Sequence, residues 1–234
     1  ETLRAVAEAS KWTSPKSNAF IGKGMSLSQR PQGQSIYSAK VEMDETGKTT
    51  LHLLVPETGT GSHTVGRQMV AEDLGIPVEE VIAMQMNTDG GTYDSGAGSG
   101  SSVGGTHAAL GAAQGVRRKL TLMAAEFYGW PEENIQFQKG RVFVEGDPEK
   151  GVSLKELAAR TVKALGETIS ADISTTSEEP DVTCFSAQVA EVEVDPETGN
   201  VKLRKFVTAH DVGTIHNPIT HQGQIDGAVV QGFG

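Results

Sequence analysis

Three stretches of this chain hold residue types that bind ligands or do chemistry. The first is ETGTGSHT at 57–64. Gly59 and Gly61 let the backbone come close to a ligand, and Thr and Ser hydroxyls flank them. Backbone N–H groups at such a turn receive an anion when a helix follows. The plainer reading is a tight strand-to-helix turn with Ser or Thr as N-cap, and composition favours it. The stretch is no P-loop, because no Gly-Lys-Ser/Thr follows. Nor is it a G-x-G-x-x-G fingerprint, since Thr64 stands where the third glycine belongs.

The second stretch is DGGTYDSGAGSGSSVGG at 89–105, with seven Gly and four Ser ahead of a helix-like segment. Either a surface loop or a loop wrapped over a polar ligand uses such residues, glycine for close approach and serine for hydrogen bonds. The third stretch runs from His210 to Gly227 and contains His210-Asp211, Asn217-Pro218 and GQIDG at 223–227. His beside Asp suggests a base and its orienting partner, yet no Ser or Cys nucleophile accompanies them. Asp211 and Asn217 are better placed to tie down a loop through backbone hydrogen bonds. The six histidines match no HExxH or other zinc spacing, so no metal ligand is assigned. His52 falls on the polar face of an alternating strand.

Whole-chain properties narrow the classes. A net charge of −10 opposes nonspecific nucleic-acid binding and docking on anionic lipid. No apolar run reaches the roughly 18 residues of a membrane span. The first residues lack the cationic-then-apolar order of a signal peptide. Cys184 stands alone and has no internal disulfide partner, which suits a reducing cytoplasm.

These stretches need elements to position them. Tyr37, Ala39, Val41 and Met43 alternate with polar residues, and Leu51, Leu53 and Val55 resume the apolar face after DETGK, which predicts a hairpin turning at Gly47. AEVEVDPETGNVKL at 190–203 repeats that pattern. Each hairpin precedes a Gly-containing loop and a helix-like segment, so a pseudo-repeat over about 35–75 and 187–234 is expected. Leu110, Ala113, Val116, Leu120, Met123 and Phe127 mark a long helix. Ile135/Phe137 and Val142/Val144 mark a hairpin about Lys139-Gly140. Ser153 with Glu156 begins a helix that ends at Gly166. The weakly patterned 167–180 reads as a linking loop. The class is α+β, antiparallel hairpins with covering helices.

In order, GTGSHT, VAEDLGIP, YDSGAGSGSS, VAEVEVDPETGNVKLRKFVTAHDVGTIHNP and GQIDGAVVQGFG resemble the molybdenum-binding large subunit of the xanthine dehydrogenase/aldehyde oxidase family. The resemblance covers nearly the whole chain but only an interior part of such a subunit. It implies an oxidoreductase that hydroxylates N-heterocycles or aldehydes with oxygen from water. The alternative is a non-catalytic cofactor-binding or structural unit that needs a partner chain. The family's Gly-Gln-Gly loop falls on Gly59, Thr60 and Gly61, with Thr in place of Gln. Its pterin loop falls on Gly98, Ser99, Gly100 and Ser101, without the Arg often found there. Its Gly-Gln-x-x-Gly falls on Gly223 to Gly227, which makes Gln224 and Gly227 cofactor contacts. The Gly-x-Gly-Glu segment with the family's catalytic base is not in this sequence, so no catalytic residue is assigned.

The implied cofactor is molybdopterin or its cytosine dinucleotide form, carried by the parent assembly and absent from the isolated chain. The implied partners are the remaining molybdenum-subunit segments, Fe–S and FAD subunits or domains, and a small-molecule substrate, with no nucleic acid and no membrane. The chain is then divided into a lead-in (1–32), a first part of the cofactor-binding domain (33–166), the linking loop (167–180) and a second hairpin-loop-helix unit (181–234).

Overall fold

The computed structural model describes residues 1–31, 35–85, 96–176 and 183–234. Its α-helices are α1 Thr2–Ser10, α2 Ser62–Leu74, α3 Gly100–Tyr128, α4 Leu154–Leu165 and α5 Pro218–Phe233. Its strands are β1 Ile21–Pro31, β2 Ile36–Met43, β3 Thr49–Leu53, β4 Val81–Gln85, β5 Ile135–Gln138, β6 Arg141–Val144, β7 Asp147–Ser153, β8 Ile169–Thr176, β9 Thr183–Val194 and β10 Val201–Asp211. They form two units, Glu1–Gln32 with Glu179–Ile215, and Gly33–Glu178 with His216–Gly234. The expected lead-in at 1–32 therefore shares a unit with the second hairpin, and 216–234 falls in the other.

The first unit is an antiparallel sheet in the order β1-β9-β10. Val189 pairs with Met25 and Val207, and Ala187 with Leu27 and Ala209. Strand alternation puts these on one face, where Val189, Ala187, Met25, Val207 and Ala209 pack with Val6 of α1. The β9–β10 turn is held by Asp195, whose carboxylate accepts from the Glu197 and Thr198 N–H groups. Asp44 accepts from Thr46 N and Lys48 N in the β2–β3 turn. The likeness of the two hairpins thus has a physical basis in a shared aspartate turn.

The second unit has a sheet in the order β4-β3-β2-β8. As the alternation predicts, Tyr37, Ala39, Val41 and Met43 are buried, with Leu51, Leu53 and Val55. β3 and β4 are parallel and joined through α2, which a crossover requires. Hairpin, loop and helix occur in this order twice, but α2 returns to its own hairpin's sheet whereas α5 belongs to the other unit from β9–β10. A smaller sheet, β5-β6-β7, leads into α4. Ser153 Oγ caps α4 by accepting from Glu156 N at 3.1 Å, and Gly166 ends it at φ 75°.

Two expectations need correction. Residues 169–176, expected within the linking loop, form β8, which pairs with β2 from Ile36↔Thr176 to Met43↔Ile169. Its buried-side residues Ala171 and Ile173 lie under α3, against Gly115 and Gly111. Only three apolar residues alternate there, too few to stand out among Ser, Thr and Asp. Residues 100–105, expected as loop, are the first turns of α3. A side chain at Gly104 would overlap the Tyr37 ring, and one at Gly100 the Tyr37 hydroxyl. Glycine here lets helix and sheet come close, and that contact outweighs its low helix propensity. The buried side of α3 is accordingly small, mostly Ala108, Ala109, Ala112, Ala113 and Val116.

Candidate functional site

The turn after β3 is organised by a residue that sequence reasoning passed over, Glu57. One carboxylate oxygen, Oε1, accepts from Gly59 N and Gly61 N, each at 3.0 Å. The other, Oε2, accepts from His63 N at 3.1 Å and Ser62 Oγ at 3.3 Å. Gly59 and Gly61 adopt φ values of 88° and 76°, which glycine reaches without a Cβ clash. Burial raises the Glu57 pKa, but the N–H donors of His63, Gly61 and Gly59 outweigh it and hold the carboxyl below its usual range. The anion at the N-terminus of α2 is therefore the chain's own. The signal was local: an acidic residue just ahead of a Gly-rich helix start. Thr60 Oγ1 in this turn is buried without a hydrogen-bond partner.

The start of α5 lies against the same turn. Asn217 is its N-cap, with Oδ1 accepting from Thr220 N at 3.2 Å. This is the loop-fastening role the sequence suggested for Asn217. A Cβ on Gly61 would stand 3.0 Å from Thr220 Oγ1 and 3.3 Å from Asn217 Nδ2. Gln224 Nε2 donates to the Gly59 carbonyl at 3.2 Å across 165 positions of sequence. Two segments assigned separately to the cofactor thus touch each other. Gly223 and Gly227 have open space where a Cβ would be, so no contact within the described chain demands glycine there.

The start of α3 is the third segment. Residues 86–95 lie outside the described residues, so only the later part of the Gly/Ser-rich stretch enters the site. Gly98 and Ser99 have φ values of 64° and 66°, and Ser101 is 6% exposed. A Cβ on Gly96 would stand 3.5 Å from Pro56 Cγ, which places this segment beside the Glu57 turn. Ser99, the N-cap, makes no side-chain cap bond. Among the described residues no side-chain acceptor is found for the N–H groups of Gly100 to Val103.

Helices α2 and α3 run in the same direction. Gly66 faces Ala109, and further along both helices Asp73 faces Arg117. Their N-termini therefore share one end of the unit, and the N-terminus of α5 meets them there. Each helix start carries partial positive charge, so the three together favour an anionic group. Of the three, α2 is closed by Glu57 and α5 by Asn217, while the first donors of α3 have no side-chain acceptor among the described residues.

Several histidine side chains make local hydrogen bonds. His63 Nε2 donates to the Val55 carbonyl at 3.0 Å. His52 Nε2 lies 2.9 Å from Glu42 on the strand's polar face, as expected. His210, which belongs to the other unit, bonds Thr208 Oγ1 at 2.7 Å. Among the described residues no group of three His, Cys, Asp or Glu side chains is arranged to hold a metal ion. Among the described residues, too, no helix is long and apolar enough to cross a membrane.

Comparison with known proteins gives this geometry a family. The profile of the molybdopterin cofactor-binding domain matches residues 3–234. The carbon monoxide dehydrogenase large chain of Afipia carboxidovorans is 28% identical over 92% of this chain and 27% of its own length. The nicotine 6-hydroxylase large subunit of Paenarthrobacter nicotinovorans is 31% identical over 94% of this chain and 29% of its own. Among solved structures, quinoline 2-oxidoreductase from Pseudomonas putida 86 superposes with a TM-score of 0.75 at 26% identity, over 96% of this chain and 30% of that one. A Cu,Mo-containing CO dehydrogenase gives 0.71 at 26% identity, over 89% of this chain and 28% of that one. The chain thus spans less than a third of the length of the relatives it matches.

Proposed function

The chain belongs to the molybdopterin cofactor-binding domain family, and on that basis we propose that it supplies part of the cofactor cradle of an oxidoreductase that hydroxylates N-heterocycles or aldehydes with oxygen from water. The observation that carries this reading is the meeting of three helix starts around residues 56–61, from segments as far apart as Gly59 and Gln224. The residues fit such a group in three respects. Among the described residues, Thr60 Oγ1 is buried and unpartnered, the α3 start has donors without side-chain acceptors, and Gly227 leaves open space. In this reading the N–H groups of Gly100 and Ser101, shaped by Gly98 and Ser99, hold an anionic part of the cofactor. Gln224 and Gly227 line the cradle from α5, and Gly59, Thr60 and Gly61 from the α2 side.

When bound, the cofactor supplies the two-electron chemistry that brings oxygen from water into the substrate. This chain's own residues bind and orient. They offer preorganised donors whose arrangement does not change on binding. In this reading the general base comes from other segments of the parent subunit, as the family resemblance implies. We assign those partners as the rest of a molybdenum-binding subunit, together with Fe–S and FAD subunits or domains. The cofactor is molybdopterin or its cytosine dinucleotide, and the setting is the cytoplasm, where Cys184 stays a free thiol. In this reading 234 residues alone form only part of the cradle and do not retain the cofactor.

The test is Gln224→Ala in the parent polypeptide. Loss of one hydrogen bond involving a charged cofactor group weakens retention by roughly 10- to 150-fold. Molybdenum analysis with fluorescence of the released pterin measures it. Unchanged occupancy in the variant contradicts the assignment of Gln224. A wild-type parent without molybdenum or pterin contradicts the function itself.

A further inference from the structure

We propose that Glu57 is a positioning residue, an internal anion that sets the shape of the Gly59–Gly61 turn and closes the α2 N-terminus to any outside anion. The inference rests on the cofactor-cradle reading given above and adds to it a division of labour among the helix starts. Glu57 is exposed as a residue, yet both carboxylate oxygens are fully engaged, two donors to each. All four donors lie within six residues of it. Among the described residues no salt bridge to Glu57 is formed. Three of its donors are backbone N–H groups and the fourth is the Ser62 hydroxyl, which is how a bound carboxylate or phosphate ligand is held at a helix start.

The consequence concerns Thr60. It sits between the two glycines whose N–H groups share Oε1: Glu57 holds the Thr60–Gly61 peptide through Gly61 N–H, and Gln224 holds the Gly59–Thr60 peptide through the Gly59 carbonyl. From the opposite side the turn is braced by Gln224 on the Gly59 carbonyl and by Thr220 beneath Gly61. Glu57 therefore presents Thr60 rather than binding the cofactor, and the cofactor's anionic group is directed to α3.

An amide cannot replace this carboxylate. A glutamine has one acceptor oxygen for four donors, and its own NH₂ would face two of them. The experiment uses the parent polypeptide with Glu57→Gln and Glu57→Ala, followed by amide hydrogen exchange and by pterin release. In both variants, exchange at Gly59, Gly61 and His63 should accelerate by roughly tenfold or more, and pterin release by a comparable factor. For Glu57→Ala, sodium acetate should restore slow exchange at these three amides, and acetamide at the same concentration should not. A general folding defect would not separate acetate from acetamide. Unchanged exchange in Glu57→Gln overturns the inference, as does faster exchange with unchanged pterin retention. Equal rescue by acetamide overturns it too. Failure of the underlying functional reading is seen separately, in a wild-type parent that releases no pterin.

Discussion

Helix α2 has a carboxylate near each end, and the two are treated in opposite ways. Glu57, ahead of the N-terminus, receives four donors, and its pKa falls despite burial. Asp73, in the last turn, has Oδ1 at 3.4 Å from Arg117 Nη1 and Oδ2 buried with no partner. Burial pushes the Asp73 pKa up, and Arg117 only partly offsets it. Donors and burial account for the contrast: Glu57 has enough N–H donors to outweigh its desolvation, whereas Asp73 loses more to burial than Arg117 returns. One end is electrostatically satisfied and shaped, as a binding site requires. The other holds a partly buried ion pair, with Arg117 also packed 5.0 Å from the Phe137 ring centroid.

The contrast breaks most sharply at Arg117. Arg117→Ala leaves the Asp73 carboxylate without a counter-charge and should cost about 2–3 kcal/mol in urea unfolding. Glu57→Ala removes a cap and should cost about 1–2 kcal/mol by the same measurement. Gly61→Ala adds a Cβ at φ 76°, 3.0 Å from Thr220 Oγ1, for about 1 kcal/mol or somewhat more. Asp73→Asn should be the mildest, near neutral or slightly stabilising, because it removes a charge that burial disfavours.

Acidity sharpens the same comparison. The folded pKa of Glu57 lies below its ordinary 4.5, so its stabilisation is present above 4.5 and is lost as pH falls through the folded value. For Asp73 the folded pKa lies above 3.8, so its contribution favours the fold at low pH and declines as pH rises from 3.8 through the folded value. Between about pH 3.8 and 4.5 the two ends therefore pull in opposite directions. Glu57→Gln should flatten the acid loss of stability in that range, and Asp73→Asn should steepen it. Unfolding free energies measured at stepwise pH check both.

How much of this was legible depended on whether the cause was local. The β2–β3 hairpin could be read because Tyr37, Ala39, Val41 and Met43 alternate strictly, and the α4 cap because Ser153 and Glu156 lie three apart. The start of α3 could not, because glycine at 100 and 104 signals a loop until Tyr37 is known to lie against it. β8 was hidden by its Ser, Thr and Asp content. At the candidate site, family resemblance picked out residues 59–61, 98–101 and 224 one by one. It gave no hint that Gln224 reaches the Gly59 carbonyl, since nothing short-range links positions 165 apart. Glu57 was the reverse case, a local signal masked by the glycines that follow it.

The central claim is that α3, and not α2, offers its N-terminus to the cofactor. Amide hydrogen exchange of the parent polypeptide, with its molybdenum cofactor and after the cofactor's removal, tests this most directly. The account predicts that the cofactor slows exchange at Gly100 to Val103, while Gly59, Gly61 and His63 change little because Glu57 already holds them. Protection by the cofactor at Gly59, Gly61 and His63 with none at Gly100 to Val103 would contradict it.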